Sequence, residues 1–265
     1  MYKGILRKIN VRHVSPVEYT LKMGEANLSL NDYVGQKVKL SHTGRKYCID
    51  TGKKSKKLYG QGYSFESFIT LPQCDTCIIK PELCHYKQGT CRDPQWGENH
   101  CLKPHVIYIS LTSSVKVGIT RKTQVPTRWI DQGAVKAIKL CEVKDRLTSG
   151  IIEVEIAKEL GDKTNWRNML KNKYEDVDLK KIKADVVTKF ADILNKHQVI
   201  ISDDEIIQFD YPVQNYPEKI TSHNFDKNPI IEGVLLGMKG QYLIFDTGVI
   251  NIRKFQGYEA TFELI

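Results

Sequence analysis

The pair Cys74-Asp75-Thr76-Cys77 carries the sharpest chemistry in the chain, because two thiolates at this spacing chelate one tetrahedral ion from a tight turn. Cys84, Cys91 and Cys101 follow, with His85, His100 and His105 nearby. The favoured donors are Cys74, Cys77, Cys84 and Cys91, with Cys101 and His105 in reserve; spacing alone does not choose among them. Zinc is the first expectation for such a set, and this many thiols also suits an iron–sulfur cluster. Buried, reduced cysteines are the competing explanation. The chain has seven cysteines, an odd number, and its first 30 residues do not read as a secretory signal. Metal ligands in a cytoplasmic protein are therefore expected, not a disulfide framework.

Two earlier turns, Cys48-x2-Thr51 and Ser64-x2-Ser67, repeat the spacing with a single thiol. Hydroxyls are poor zinc ligands, so no metal is expected there. The loop between them holds Lys53, Lys54, Lys56 and Lys57, which form either a phosphate-binding patch or a solvated loop.

The most informative stretch runs from His105-Val106-Ile107-Tyr108 through Lys116-Val117-Gly118-Ile119-Thr120 to Arg128 and Glu153. On a helical wheel, Glu153 falls inside the apolar arc drawn by Leu147, Ile151, Ile152, Val154, Ile156, Ala157 and Leu160. A lone ionised carboxylate in such a place is costly, so Glu153 needs an arginine partner (Arg128 or Arg146), a metal, or a raised pKa. Taken singly, Tyr108, Lys116 and Arg128 have bland explanations as a core aromatic, a solvated strand residue and a helix-packing residue.

In this order and at these spacings, the residues resemble the GIY-YIG nuclease superfamily. Tyr108 matches the tyrosine of the first strand, Gly118 and Thr120 match the second, and Arg128 and Glu153 match the helical pair. Val106 replaces a glycine and Lys116 replaces the second tyrosine. The resemblance implies metal-dependent hydrolysis of a phosphodiester. Glu153 would hold Mg²⁺ or Mn²⁺, Tyr108 would activate or orient the attacking water, and Arg128 would stabilise phosphoryl charge. Lys116, charged at its ordinary pKa, would clamp phosphate. A non-catalytic nucleic-acid-binding protein on the same scaffold is the alternative, since losing the second tyrosine removes a proton-handling group.

The whole chain is also similar to a family of prokaryotic proteins of unknown function. The motifs that carry this are Cys74–Cys77, Lys80-Pro81-Glu82-x-Cys84-His85, Gly89–Asp93, Lys116–Arg121, Thr127–Ala134, Asp162–Arg167 and Lys239–Leu243. That similarity implies cysteines at the positions of Thr51, Ser64 and Ser67, so the first knuckle reads as degenerate in this chain.

Forty Lys and Arg against 31 Asp and Glu give a net charge of +9, which favours a polyanionic partner, DNA or RNA. The candidate phosphate-binding cations are the four loop lysines and Arg121. No run of 18 apolar residues exists, so no membrane-spanning helix is expected. With 41% hydrophobic and 27% charged residues the composition is that of a globular chain, not a disordered or fibrous one.

These residues need a scaffold, and the spacing predicts an α+β fold. Residues 1–41 read as a β module and 42–104 as a cysteine-rich, zinc-knuckle-like insert. Residues 105–198 show alternating strand and helix signals, which the resemblance implies form a GIY-YIG-like small sheet with helices, and 199–265 read as a second β module. Within the third segment, Val106–Leu111 and Val115–Thr120 should form a hairpin, Pro126 should open a short helix ended by Gly133, and 137–143 should be a third strand. Asp145 should cap a helix reaching Leu160, and 178–197 should be one long amphipathic helix. The tail should be strands with a turn at Asp246-Thr247-Gly248. Similar contexts of Gly4-Ile5-Leu6 and Gly233-Val234-Leu235 suggest that the two ends build one barrel or two related ones, with chance similarity at least as good an explanation.

Overall fold

The computed structural model describes all 265 residues and divides the chain into two compact units. Unit 1 comprises Met1–Ile69, Leu170–Asn172 and Phe209–Ile265; unit 2 comprises Thr70–Met169 and Lys173–Gln208. The fold is mixed α+β with antiparallel sheets. The four expected segments map onto these two units. Residues 42–104 are divided between them, and the β segments of both chain ends enter unit 1.

Unit 1 begins with β1 (Tyr2–Ile5), β2 (Asn10–Arg12), β3 (Glu18–Met23), β4 (Ala26–Ser29), β5 (Lys37–Lys46) and the short helix α1 (Phe65–Thr70). Strands β2, β3 and β4 make a three-stranded sheet, while β1 and β5 await partners from the far end of the chain.

Unit 2 opens with the cysteine segment, a series of 3₁₀ turns closed by α2 (Pro94–His100). Next come β6 (His105–Leu111), β7 (Val115–Arg121), α3 (Thr127–Asp131), β8 (Lys136–Val143) and α4 (Arg146–Leu160). After α5 (Trp166–Leu170) follow α6 (Leu179–Lys189), α7 (Ala191–Lys196), β9 (Ile200–Ile201) and β10 (Ile206–Gln208). The expected hairpin forms with Tyr108 opposite Gly118 and Ser110 opposite Lys116. The sheet order is β10-β8-β6-β7, so β7 is an edge strand and β6, in the middle, is buried along its whole length. Ile107, Ile109 and Val117 of the hairpin share a core with Ile152 and Ile156 of α4 and with Leu179 and Val186 of α6. Side chains alternate across a strand, so Tyr108, Ser110, Lys116 and Gly118 occupy the opposite face.

Two helix starts follow their expected caps: the Asp145 carboxylate accepts from Thr148 N at 2.8 Å, and Asp178 accepts from Lys180 N and Lys181 N. The long helix expected over 178–197 is instead two helices that meet at Phe190 (φ −105°, ψ 20°). Phe190 N still donates to Val186 O and Leu194 N to Phe190 O. The apolar spacing thus continues past the break at Phe190, which is why periodicity does not show it.

The tail returns to unit 1 as β11 (Ile230–Lys239), β12 (Tyr242–Phe245), β13 (Gly248–Asn251) and β14 (Tyr258–Leu264). The larger sheet has the order β1-β14-β5-β11-β12-β13. The two chain ends therefore share one open sheet, with Gly4 opposite Ala260, and not a barrel.

Candidate functional site

Four elements of unit 2 converge on the Glu153 carboxylate. β6 supplies Tyr108, β7 supplies Lys116, α3 supplies Arg128, and α4 supplies Glu153 two helical turns after its first residue, Arg146. Arg128, Arg146, Lys116 and Asp162 all act electrostatically on Glu153, and Arg128 and Glu153 act on Tyr108. The structure thus brings together all four residues predicted for the reaction.

Glu153 is half-buried, not sealed. Burial comes first among the causes that raise its pKa to about 7, Asp162 adds to the rise, and Arg146, Arg128 and Lys116 oppose it. None of these cations closes an ion pair on it; the Arg146 guanidinium instead donates to Ile78 O at 2.6 Å. The buried ion pair expected as one explanation of Glu153 is therefore not what holds it.

Tyr108 is fully buried, and its hydroxyl has no hydrogen-bond partner although Arg128 and Gln132 lie close enough to act on it. Gln132 Oε1 is likewise buried without a donor. Burial raises the Tyr108 pKa, so the phenol keeps its proton. Lys116 is 5% exposed, and burial, aided by Arg128, lowers its pKa to about 8. The amine expected to clamp phosphate at its ordinary pKa is thus shifted toward neutral pH, with the ammonium still the main form at pH 7.

The cysteine segment forms a second locus in the same unit. Cys77, Cys84, Cys91 and Cys101 line one small cavity of about 20 Å³, together with Asp75, His85 and Trp96. Cys74, favoured from the CxxC spacing, does not line it, and Cys101, held in reserve, does. All seven cysteines are free thiols. Burial, reinforced by Asp75, pushes the Cys77 thiol up to about 12. Oxygen and nitrogen donors are also close, since ligand atoms of Asp75, Cys77 and His85 lie within 4.8 Å of one another. Those two are already engaged: Asp75 binds Arg92 at 2.8 Å, and His85 meets Thr90 at 2.8 Å and Asp75 at 3.5 Å. His105 Nδ1 is bound to Lys103 O at 2.7 Å, and burial lowers its pKa to about 4.

Helix α4 joins the two loci. A Cβ on Gly150 would sit 2.5 Å from Pro81 Cβ and 2.7 Å from Glu82 N, so only glycine lets α4 lie on the cysteine segment. Arg146 N donates to Cys101 O at 2.8 Å. Arg121, expected among the phosphate-binding cations, sits at the cysteine end of β7, where its charge acts on Cys101 and His105.

The loop lysines belong to unit 1. Lys53, Lys54, Lys56 and Lys57 are all exposed, and Lys54 and Lys56 line an open groove of about 730 Å³ with His42, Lys46, Phe225 and Asp226. Lys46 was not foreseen because it lies on β5, outside the loop. The two turns that flank this loop are joined by hydrogen bonds: Cys48 Sγ to Ser67 Oγ at 3.4 Å, Ser64 Oγ to Ser67 Oγ at 3.2 Å, and Ser67 Oγ to Asp50 at 2.9 Å. Burial alone would raise the Cys48 pKa, but hydrogen bonds from Ser64, Ser67 and Thr51 bring it to about 6.

A family model described as protein of unknown function (DUF2797) matches residues 35–260. The chain belongs to this family. No curated protein and no solved structure matches it. The DUF2797 match spans the Cys48 knuckle, the cysteine cavity and the Glu153 constellation alike. No helix in this DUF2797 chain is long and apolar enough to cross a membrane.

Proposed function

We propose that unit 2 is a metal-dependent phosphodiesterase of GIY-YIG-like type that acts on DNA or RNA. The observation that carries this is the convergence of Tyr108, Lys116, Arg128 and Glu153, with Glu153 closed by no ion pair and the Tyr108 hydroxyl buried without a partner. A structural salt bridge would have satisfied those groups; an oxygen-rich substrate and an ion satisfy them equally well.

A divalent ion held by Glu153, when bound, supplies Lewis-acid polarisation of the phosphate. Water attacks phosphorus and the bond to the leaving oxygen breaks. Lys116, lowered to about 8 and so still mostly an ammonium at pH 7, clamps the phosphate, and the proton that water loses ends on the leaving oxygen. Tyr108 keeps its own proton and orients by hydrogen bonding, because burial holds it as the phenol. Arg128 faces the charge that develops on the phosphoryl oxygens.

The cysteine cavity supports one structural zinc held by Cys77, Cys84, Cys91 and Cys101, four soft donors around a space of atomic size. Zinc at that place fixes the segment on which Gly150 and Arg146 of α4 rest, and so the helix that carries Glu153. The lysine groove of unit 1 supports nucleic acid as the substrate class, since it adds cations that neutralise backbone phosphates.

The test is incubation of mixed DNA and RNA with Mg²⁺ or Mn²⁺, using the wild type and Glu153→Gln. Metal-dependent cleavage lost in the variant supports the reading. Salt-sensitive binding without cleavage replaces it with the non-catalytic alternative, and neither property overturns both.

A further inference from the structure

The loop that carries the lysines of unit 1 is folded back onto the end of β5. Gly52 N donates to Cys48 O, Cys48 N to Lys53 O and Ser55 N to Lys46 O, all at 2.9 Å, and Lys54 bridges to Tyr47. This backbone sorts the four lysines. Lys54 and Lys56 line the groove together with Lys46, whereas Lys53 and Lys57 do not, and the Lys57 ammonium instead sits 4.9 Å from the centre of the Tyr59 ring. The ammonium groups of Lys54 and Lys56 enter no hydrogen bond or ion pair.

Lys46 is held differently. Its ammonium lies 2.7 Å from Asp226 Oδ1 and 4.4 Å from the centre of the Tyr258 ring. The Tyr258 hydroxyl donates to the same carboxylate, 3.1 Å from Oδ1 and 3.0 Å from Oδ2. A turn places the acid, since Asp226 N donates to Asn224 Oδ1 at 2.9 Å. Donors from β5 and β14 thus converge on one anionic oxygen, while the acid that supplies it is 51% exposed at the groove. Charged donors aimed at one oxygen, with two uncommitted ammonium groups in the same groove, suit a phosphate. Phe225 and Tyr258 are buried, so this place offers cations and no free ring on which a base could stack.

We propose that the groove takes one phosphate of a nucleic-acid strand at Lys46, and that Asp226 holds this subsite in the free protein as a stand-in for that phosphate. The assignment rests on the reading of nucleic acid as the substrate class. A phosphate oxygen in the place of Asp226 Oδ1 receives the Lys46 ammonium and the Tyr258 hydroxyl already aimed there. Displacing a half-exposed carboxylate from a lysine costs little. A single small anion gains as little, because it only exchanges one partner of Lys46 for another. A strand gains more, since its neighbouring phosphates also reach Lys54 and Lys56. Asp226 therefore selects for polyanions, and the contacts go to the backbone and carry no base preference.

The experiment is binding of a fluorescent single-stranded oligonucleotide to the full chain, read by anisotropy across a salt series in metal-free buffer so that no cleavage intervenes. Asp226→Asn keeps the shape and frees Lys46. It should tighten binding about threefold and steepen the log–log salt slope by up to about 0.7, the share of one phosphate on a single strand. Glu25→Gln, at an exposed acid between β3 and β4, removes the same charge elsewhere in unit 1 and should change neither. Lys54→Ala with Lys56→Ala should weaken binding more than Lys53→Ala with Lys57→Ala, and all four positions are exposed, so these chains should fold. If the wild type binds but Asp226→Asn gains no more than Glu25→Gln, or the two lysine pairs lose alike, the subsite is overturned and the nucleic-acid reading stands. If polyglutamate displaces the oligonucleotide at equal charge concentration, the groove receives acidic protein and the phosphate assignment falls. If the wild type binds no oligonucleotide, the nucleic-acid reading falls and the subsite with it.

Discussion

The Tyr108 ring lies across Gly118, its partner on the neighbouring strand, so closely that a Cβ there would meet the phenol oxygen at 2.6 Å. Glycine at 118 is thus the floor on which the phenol rests. Gly118→Ala should cost about 1–3 kcal/mol through overpacking and should displace the hydroxyl. Tyr108→Phe should be neutral or slightly stabilising, since it removes a buried hydroxyl that has no partner. Both should abolish cleavage. Urea denaturation read beside a cleavage assay checks the pair, and a strongly destabilised Tyr108→Phe would show that the hydroxyl is a structural bond.

The raised pKa of Glu153 has a consequence for stability. Its folded value of about 7 lies above the ordinary 4.5, so between those values the folded chain holds a proton that the unfolded chain has released. Stability from this group is complete below pH 4.5 and is lost as pH rises through 7. Glu153→Gln keeps the shape and cannot ionise. In metal-free buffer it should match the wild type near pH 5 and melt higher near pH 8, and it should lose any shift on adding Mg²⁺ or Mn²⁺. A variant that melts several degrees lower at every pH would mark Glu153 as a structural partner of Arg128 or Arg146.

The constellation was legible because its parts sit on local elements with local signals. The hairpin follows from two β-rich runs around Thr112-Ser113-Ser114, α3 from Pro126 and Gly133, and α4 from the Asp145 cap. The cysteines around the cavity were legible only as a set. That Cys101 lines it and Cys74 does not depends on how the 3₁₀ turns fold, and sequence spacing rewards the CxxC pair regardless. The pairing of β1 with β14 is harder still, joining the two ends of the chain through registers that no local pattern encodes.

Cavity lining gives the cysteines distinguishable fates. Protein purified without added metal should contain about one zinc per chain, measured by elemental analysis. Cys101→Ser should lose the zinc and lower the melting temperature, because ion binding to the folded state is folding free energy. Cys74→Ser should retain it. Zinc retained by Cys101→Ser and lost by Cys74→Ser would restore the set that spacing favours.

Nucleic-acid affinity should fall steeply with salt, each neutralised phosphate contributing about 0.7–0.9 to the log–log slope. Replacing Lys53, Lys54, Lys56 and Lys57 by Ala should weaken binding and flatten that slope. The exposure of all four and the place of Lys54 and Lys56 in the groove with Lys46 motivate the expectation. A parallel slope in the variant would show that the loop is solvated and takes no part in binding.

The buried Lys239 of unit 1 offers a pH signature of opposite sign. It is fully enclosed, donates to Asn172 Oδ1 at 2.7 Å, and lies 5.2 and 5.3 Å from the ring centres of Tyr211 and Tyr216. Burial lowers its pKa from 10.5 to about 7. Between those values the unfolded chain holds a proton that the folded chain has lost, so stability should rise with pH across the window and fall away toward pH 7. Lys239→Met keeps the apolar stem and removes the titration, at the expense of leaving Asn172 Oδ1 without its donor. The difference in denaturation midpoint between wild type and variant should therefore widen in favour of the wild type from pH 7 to pH 10. A difference independent of pH would mean that the ammonium stays charged in the interior, stabilised by the two aromatic rings and Asn172 strongly enough to offset its desolvation.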